Sequence, residues 1–159
     1  MSVVLNPYLN FPGNAREAMS FYASVFGGKL TLNTFADFGG SGDPEDDAKI
    51  MHGQIDAPHG LVLMGADVPA SMEGPGPITN GSISLSGDDE AALSGYFTAL
   101  AADGTVTEPL TRAPWGDSFG MLVDRFGVDW LVNISGSATN ADGAQNPGGA
   151  EGTELTDSE

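Results

Sequence analysis

The chain has two histidines and no cysteine, so imidazoles, carboxylates, amides and hydroxyls are the groups left to do chemistry. Thiolate nucleophiles and cysteine-held metals are excluded. His52 lies in Ile50-Met51-His52-Gly53-Gln54-Ile55-Asp56, where strand alternation groups it with Ile50, Gln54 and Asp56 on one face. An imidazole exchanges its proton near neutral pH, which makes His52 the candidate general acid or base. The alternative is a hydrogen-bonded pocket or interface histidine. His59, between Pro58 and Gly60, reads as a solvated turn residue.

Amides and aromatics accompany His52. Alternation along Leu5 to Phe11 puts Asn6, Tyr8 and Asn10 on one face and Leu5, Leu9 and Phe11 on the other. Along Val128 to Ile134 it groups Leu131 with Asn133 and sends Trp130, Val132 and Ile134 to the core side. With Gln54, Trp115, Asp117 and Phe119, these residues are the candidate lining of a cleft that orients a small polar ligand. A polar network that fills its own cavity is the other reading. Trp115, between Pro114 and Gly116, reads as a pocket wall or lid, or as core. Arg125 beside Asp124 reads as a turn ion pair, with anion binding as the alternative.

Other patterns carry less. Ser82, Ser84 and Ser86 share a strand face, but no histidine stands in a motif that would activate one of them. Asp46 and Asp47 fall in an acidic loop from Gly39 to Asp47, expected to be too flexible for acid–base work. The Asp43 to Asp47 cluster lacks the spacing and glycine of an EF-hand. Gly39-Gly40-Ser41-Gly42 runs into acids and Pro44, a poor cradle for phosphate.

The elements that must position these residues form a weak duplication. Asn14 to Tyr22 opens a helix that stops at Gly27-Gly28, and about 75 residues later Asp88 to Tyr96 opens a second that ends at Asp103-Gly104. Asn14 with Glu17 three residues on reads as a capping box. Ala18, Met19, Tyr22, Val25 and Phe26 form the first apolar stripe, and Ala92, Leu93, Tyr96, Phe97 and Leu100 the second. In unit one, strands are expected at Leu5 to Phe11, Lys29 to Phe35, Lys49 to Asp56 and Leu61 to Met64. In unit two they are expected at Gly81 to Ser86, Thr105 to Leu110, Ser118 to Val123 and Val128 to Ile134.

The order is therefore strand, helix and three strands, twice: an α+β fold of paired βαβββ units forming a curved sheet around a cleft. Unit one takes residues 3–68, a Pro- and Gly-rich linker 69–80, and unit two 81–136, within one domain of residues 1–136. Residues 137–159, nearly free of large apolar side chains, read as a disordered acidic tail.

Charge and hydropathy narrow the partners. Twenty-two acids against five bases give a net charge of −17, which repels nucleic acid and anionic membranes. No run approaches the roughly 18 apolar residues of a bilayer span, and no basic stretch precedes an apolar one near the start. A cytoplasmic protein is expected.

The segments Pro7-Tyr8-Leu9-Asn10-Phe11, Phe21-Tyr22, Val25-Phe26-Gly27-Gly28 and Met51-His52-Gly53 resemble the first half of the vicinal oxygen chelate superfamily. Pro114-Trp115-Gly116-Asp117, Phe119-Gly120 and Asp124-Arg125-Phe126-Gly127-Val128-Asp129-Trp130 extend the likeness to its PhnB-like branch. That superfamily includes glyoxalase I, extradiol dioxygenases and bleomycin- and fosfomycin-resistance proteins.

The resemblance implies a small-molecule cleft between the units and a homodimer. The superfamily's metal positions fall on Asn6, Leu63 (or Met64), Ser82 and Leu131, where two aliphatic side chains cannot ligate. No cofactor is expected, a divalent metal relocated to His52 with Gln54 or Asp117 being the alternative. Some branch members are named as 3-demethylubiquinone methyltransferases, but no Gly-rich turn between strand and helix offers a cradle for the methyl donor. The sequence thus points to a small-ligand binding protein. An enzyme using a relocated metal or His52 on a small carbonyl or phosphonate compound is the second reading, and a structural or interaction module the third.

Overall fold

The computed structural model describes residues 2–40, 42–69 and 80–136. Residues 70–79 of the 69–80 linker and the tail from 137 onward lie outside the described residues. Unit one contains β1 (Tyr8–Phe11), α1 (Ala15–Phe26), β2 (Lys29–Thr34), β3 (Ile50–Asp56) and β4 (Val62–Asp67). Unit two contains β5 (Ile83–Gly87), α2 (Glu90–Ala101), β6 (Thr105–Arg112), β7 (Ser118–Val123) and β8 (Asp129–Ile134). The sheets have the orders β1-β4-β3-β2 and β5-β8-β7-β6. In each, the first strand runs parallel to the fourth and the other pairs are antiparallel. The expected duplication is thus a repeat of topology.

Helix α1 buries Ala15, Ala18, Met19, Tyr22 and Phe26, the face demanded by a 3.6-residue period. Gly27, at φ 71°, stops it and donates its N–H to the Ala23 carbonyl. Close seating on the sheet requires Gly65 of β4, where a Cβ would stand 2.9 Å from Met19 Sδ and 3.0 Å from Phe11 Cε2. The helix start departs from the sequence reading. Asn14 makes no side-chain capping bond. Asp67, at the end of β4, instead accepts the Ala15 N–H at 2.8 Å and the Ile50 N–H at 2.9 Å. In α2 the cap is local: Asp89 accepts the Ala92 N–H at 3.0 Å.

The units share an aromatic seam. Tyr22 and Phe26 of α1 lie 5.8 and 5.7 Å, ring to ring, from Trp130 of β8, and Phe26 lies 5.0 Å from Tyr96 of α2. Burying each such ring stabilises the fold by roughly 2–3 kcal/mol. At the seam's polar centre is Asp124, 4% exposed. Its carboxylate accepts Tyr22 Oη–H at 2.6 Å, Trp130 Nε1–H at 2.8 Å and the N–H groups of Phe126 and Val128 at 2.8 and 3.1 Å. Burial, then the adjoining Asp124 carboxylate, drive the Tyr22 phenol far above its ordinary value.

Three local expectations are corrected. The first strand begins at Tyr8 rather than Leu5, since Pro7 has no N–H and only its carbonyl reaches β4, accepting from Met64 at 3.1 Å. Asp46 is not held loosely: it is 3% exposed and its Oδ1 lies 2.7 Å from Lys49 Nζ, within turns closed by Asp46 and Lys49 N–H groups. Arg125 does not pair with Asp124, whose oxygens face the seam. Its guanidinium lies 4.2 Å over the Phe21 ring and 3.5 Å from Asp103.

Candidate ligand site

Strand register decides which residues share the sheet faces turned from the helices. In sheet one, Tyr8, Met64, Gln54 and Thr31 form one row, with His52 opposite Asn33 on the same β3 face. Asn10 follows Tyr8 at the next outward position of β1. In sheet two, Ser84, Leu131 and Met121 form one row and Ser86, Asn133, Phe119 and Thr111 the next.

Two polar groups assemble on these faces. Tyr8 Oη lies 3.2 Å from His52 Nδ1, and Tyr8 is 47% exposed. Partial burial pushes the Tyr8 phenol above its ordinary value. It therefore stays protonated at neutral pH and donates to Nδ1 whenever the imidazole carries its proton on Nε2. Gln54 Nε2 donates to Asp56 Oδ1 at 3.0 Å.

The second group gathers on Asp117, which accepts Gly136 N–H at 2.9 Å and Asn133 Nδ2–H at 3.2 Å. These bonds, the backbone one foremost, hold its carboxyl below the usual range. Asp117 is thereby committed as an acceptor that fastens the end of β8 to the turn before β7. Trp115, in that turn, is 57% exposed and takes no part in the core. Among the described residues no hydrogen bond or ring contact joins the Tyr8–His52 pair to Asp117 and Asn133.

A cleft opens elsewhere, on the seam between the units. It encloses about 190 Å³ between Asn6 of the β1 lead-in, Phe26, Leu63, Ile83, Ser84 and Trp130. Of the ligand-lining residues expected from the sequence, only Asn6 reaches it. A neighbouring cleft of about 290 Å³ runs on between the His59 turn, β5 and the start of α2. Strand alternation could not reveal these clefts. They lie where the lead-in to β1, β4 and β5, from two separate sheets, come together, so their location depends on how the units dock. The one sequence signal was Pro7, which halts strand pairing where the wall begins. Among the described residues no three histidine, aspartate or glutamate side chains gather closely enough to hold a metal.

The sequence profile of the Glyoxalase/Bleomycin resistance protein/Dioxygenase superfamily matches residues 5–132. The chain belongs to this superfamily. Protein PA1353 from Pseudomonas aeruginosa shares 41% identity and a TM-score of 0.71, over 85% of this chain and 99% of that one. A PhnB protein from Bacillus cereus, designated a 3-demethylubiquinone-9 3-methyltransferase, shares 25% identity and a TM-score of 0.68, over 84% and 100%. Protein YjdN of Escherichia coli (strain K12) is 26% identical over 143 residues, 82% of this chain and 94% of YjdN. The α+β fold and PhnB-like likeness expected from the sequence agree with these comparisons. Among the described residues no helix is long and apolar enough to cross a membrane.

Proposed function

We propose that this superfamily member binds a small organic molecule in the cleft between its units and acts as a homodimer. The observation that carries the reading is one cleft walled by both units, mostly apolar, with Asn6 and Ser84 as its polar side chains. Such lining suits shape-selective binding with a few orienting hydrogen bonds. The superfamily's divalent-metal set does not fit these residues. Leu63, 6% exposed, and Leu131 offer hydrocarbon, and Asn6 and Ser82 offer neutral oxygen donors. The methyltransferase designation of the Bacillus relative is not carried over, since β1 turns into α1 through Pro12-Gly13-Asn14 and β5 into α2 through Asp88-Asp89, without a glycine-rich loop.

One observation favours a second reading. The Tyr8–His52 pair joins a phenol donor to an imidazole, which suits proton transfer on a small carbonyl compound bound against sheet one. A fragment screen by ligand-observed NMR separates the two readings, run on wild type, Ser84→Tyr and His52→Ala. The cleft reading expects hits that vanish in Ser84→Tyr and persist in His52→Ala. The reverse pattern moves the site to the sheet face, and no hits in wild type leaves the structural module.

A further inference from the structure

The cleft between Asn6 and Trp130 carries no ionisable side chain. Among the described residues that line it there is no acid, base or histidine. Its walls are the buried side chains of Phe26, Ile55, Leu63 and Trp130, and Leu5 adds an exposed apolar side chain. The carboxylates of Asp88 and Asp89 belong to the adjoining cleft. An ion entering from water would lose hydration and meet no counter-charge.

The polar groups of this cleft are few, and they come from both units. Trp130 is not free to donate to a ligand, because its Nε1–H is given to Asp124 at 2.8 Å. Asn6 from the β1 lead-in and Ser84 from β5 remain. Neither side chain has a hydrogen-bond partner among the described residues. An amide and a hydroxyl each donate and accept, so together they match a neutral group that does the same. The volume of about 190 Å³ falls below the roughly 300–1,000 Å³ of pockets for drug-sized molecules, which leaves room for one ring or a fused pair.

Resting on the cleft reading above, we infer that the ligand is an uncharged ring compound whose amide or hydroxyl is held by Asn6 and Ser84. The apolar walls take the ring, and the two side chains, one from each unit, orient its polar end. A carboxylate, phosphonate or ammonium compound is rejected on the same ground, whichever sign it carries.

Four indole probes test this by calorimetry at moderate salt, where the field of the −17 charge is screened: indole-3-acetamide, indole-3-acetate, tryptamine and 3-ethylindole. The acetamide is expected to bind about ten-fold tighter than either the acetate, close to it in shape, or tryptamine. 3-Ethylindole, which lacks the polar end, should bind about five-fold more weakly than the acetamide. Asn6→Leu should bring the acetamide to the level of 3-ethylindole and leave 3-ethylindole unchanged. A charged probe that matches the acetamide, and is still abolished by Ser84→Tyr, would overturn the selection of an uncharged ligand while keeping the cleft. Acetamide binding untouched by Asn6→Leu would overturn the role given to Asn6. No binding of any probe at millimolar concentration would overturn the cleft reading and this inference together.

Discussion

Asp124 shows how one side chain can link two units without any opposite charge beside it. Its four donors come from α1, from β8 and from the turn between β7 and β8. Asp124→Asn places an amide N–H where a donor already points, and it is expected to lower stability by about 2–4 kcal/mol in urea unfolding. Tyr22→Phe should cost about 1.5–3 kcal/mol, because Trp130 and two backbone groups still satisfy the carboxylate. Tyr22 also sets an alkaline limit. Its folded value is raised above the unfolded 10.0, so its contribution is complete below that pH and declines above it as the unfolded phenol ionises. Asp117 has the opposite sign. Its folded value lies below the unfolded 3.8, so its contribution is full above that pH and fades as acid protonates it. Carboxyl NMR titration should find Asp117 ionising below the exposed aspartates, and Asn133→Ala should move it upward.

At the scale of elements, the two helices begin by different means. The α1 cap comes from Asp67, 52 residues away in sequence. Asp67→Ala should therefore destabilise by about 2–4 kcal/mol and speed amide exchange at both Ala15 and Ile50, since one carboxylate serves both. Asn14→Ala should be neutral or slightly stabilising. Its Oδ1 is buried with no hydrogen-bond partner among the described residues, so truncation removes an unsatisfied acceptor. A capping box would have predicted a loss of about 1 kcal/mol. The contact between α1 and β4 has its own test: Gly65→Ala must displace Met19 and Phe11 and should cost about 1–3 kcal/mol.

For the whole molecule, the seam performs two tasks. Its aromatic side joins the units, and between the lead-in to β1, β4 and β5 the join leaves a cleft. A net charge of −17 makes self-repulsion a standing term in stability. Raising sodium chloride from low to moderate concentration should therefore increase the thermal midpoint, most steeply within the first tenths of molar salt. A flat response would mean that local acid clusters are already neutralised.

Much of this was legible in the chain. Apolar spacing at Ala18, Met19, Tyr22 and Phe26 and at Leu93, Phe97 and Leu100 fixed both helices and the faces they bury, because a helix must hide its stripe whatever it packs against. Alternation around Tyr8 and Asn133 placed their strands, since a pleat sends neighbouring side chains to opposite faces; before His52 it failed, because a register shift between Asn33 and Thr34 turns Ile50 into the core, away from the His52 face. Those signals are local and survive in the sequence. Tertiary structure alone decided that Asp67 caps a distant helix, that Asp124 turns from Arg125 to Tyr22 and Trp130, and that a cleft lies between the lead-in to β1, β4 and β5. Each depends on groups far apart in the chain meeting at hydrogen-bond or van der Waals distance, which no periodicity encodes.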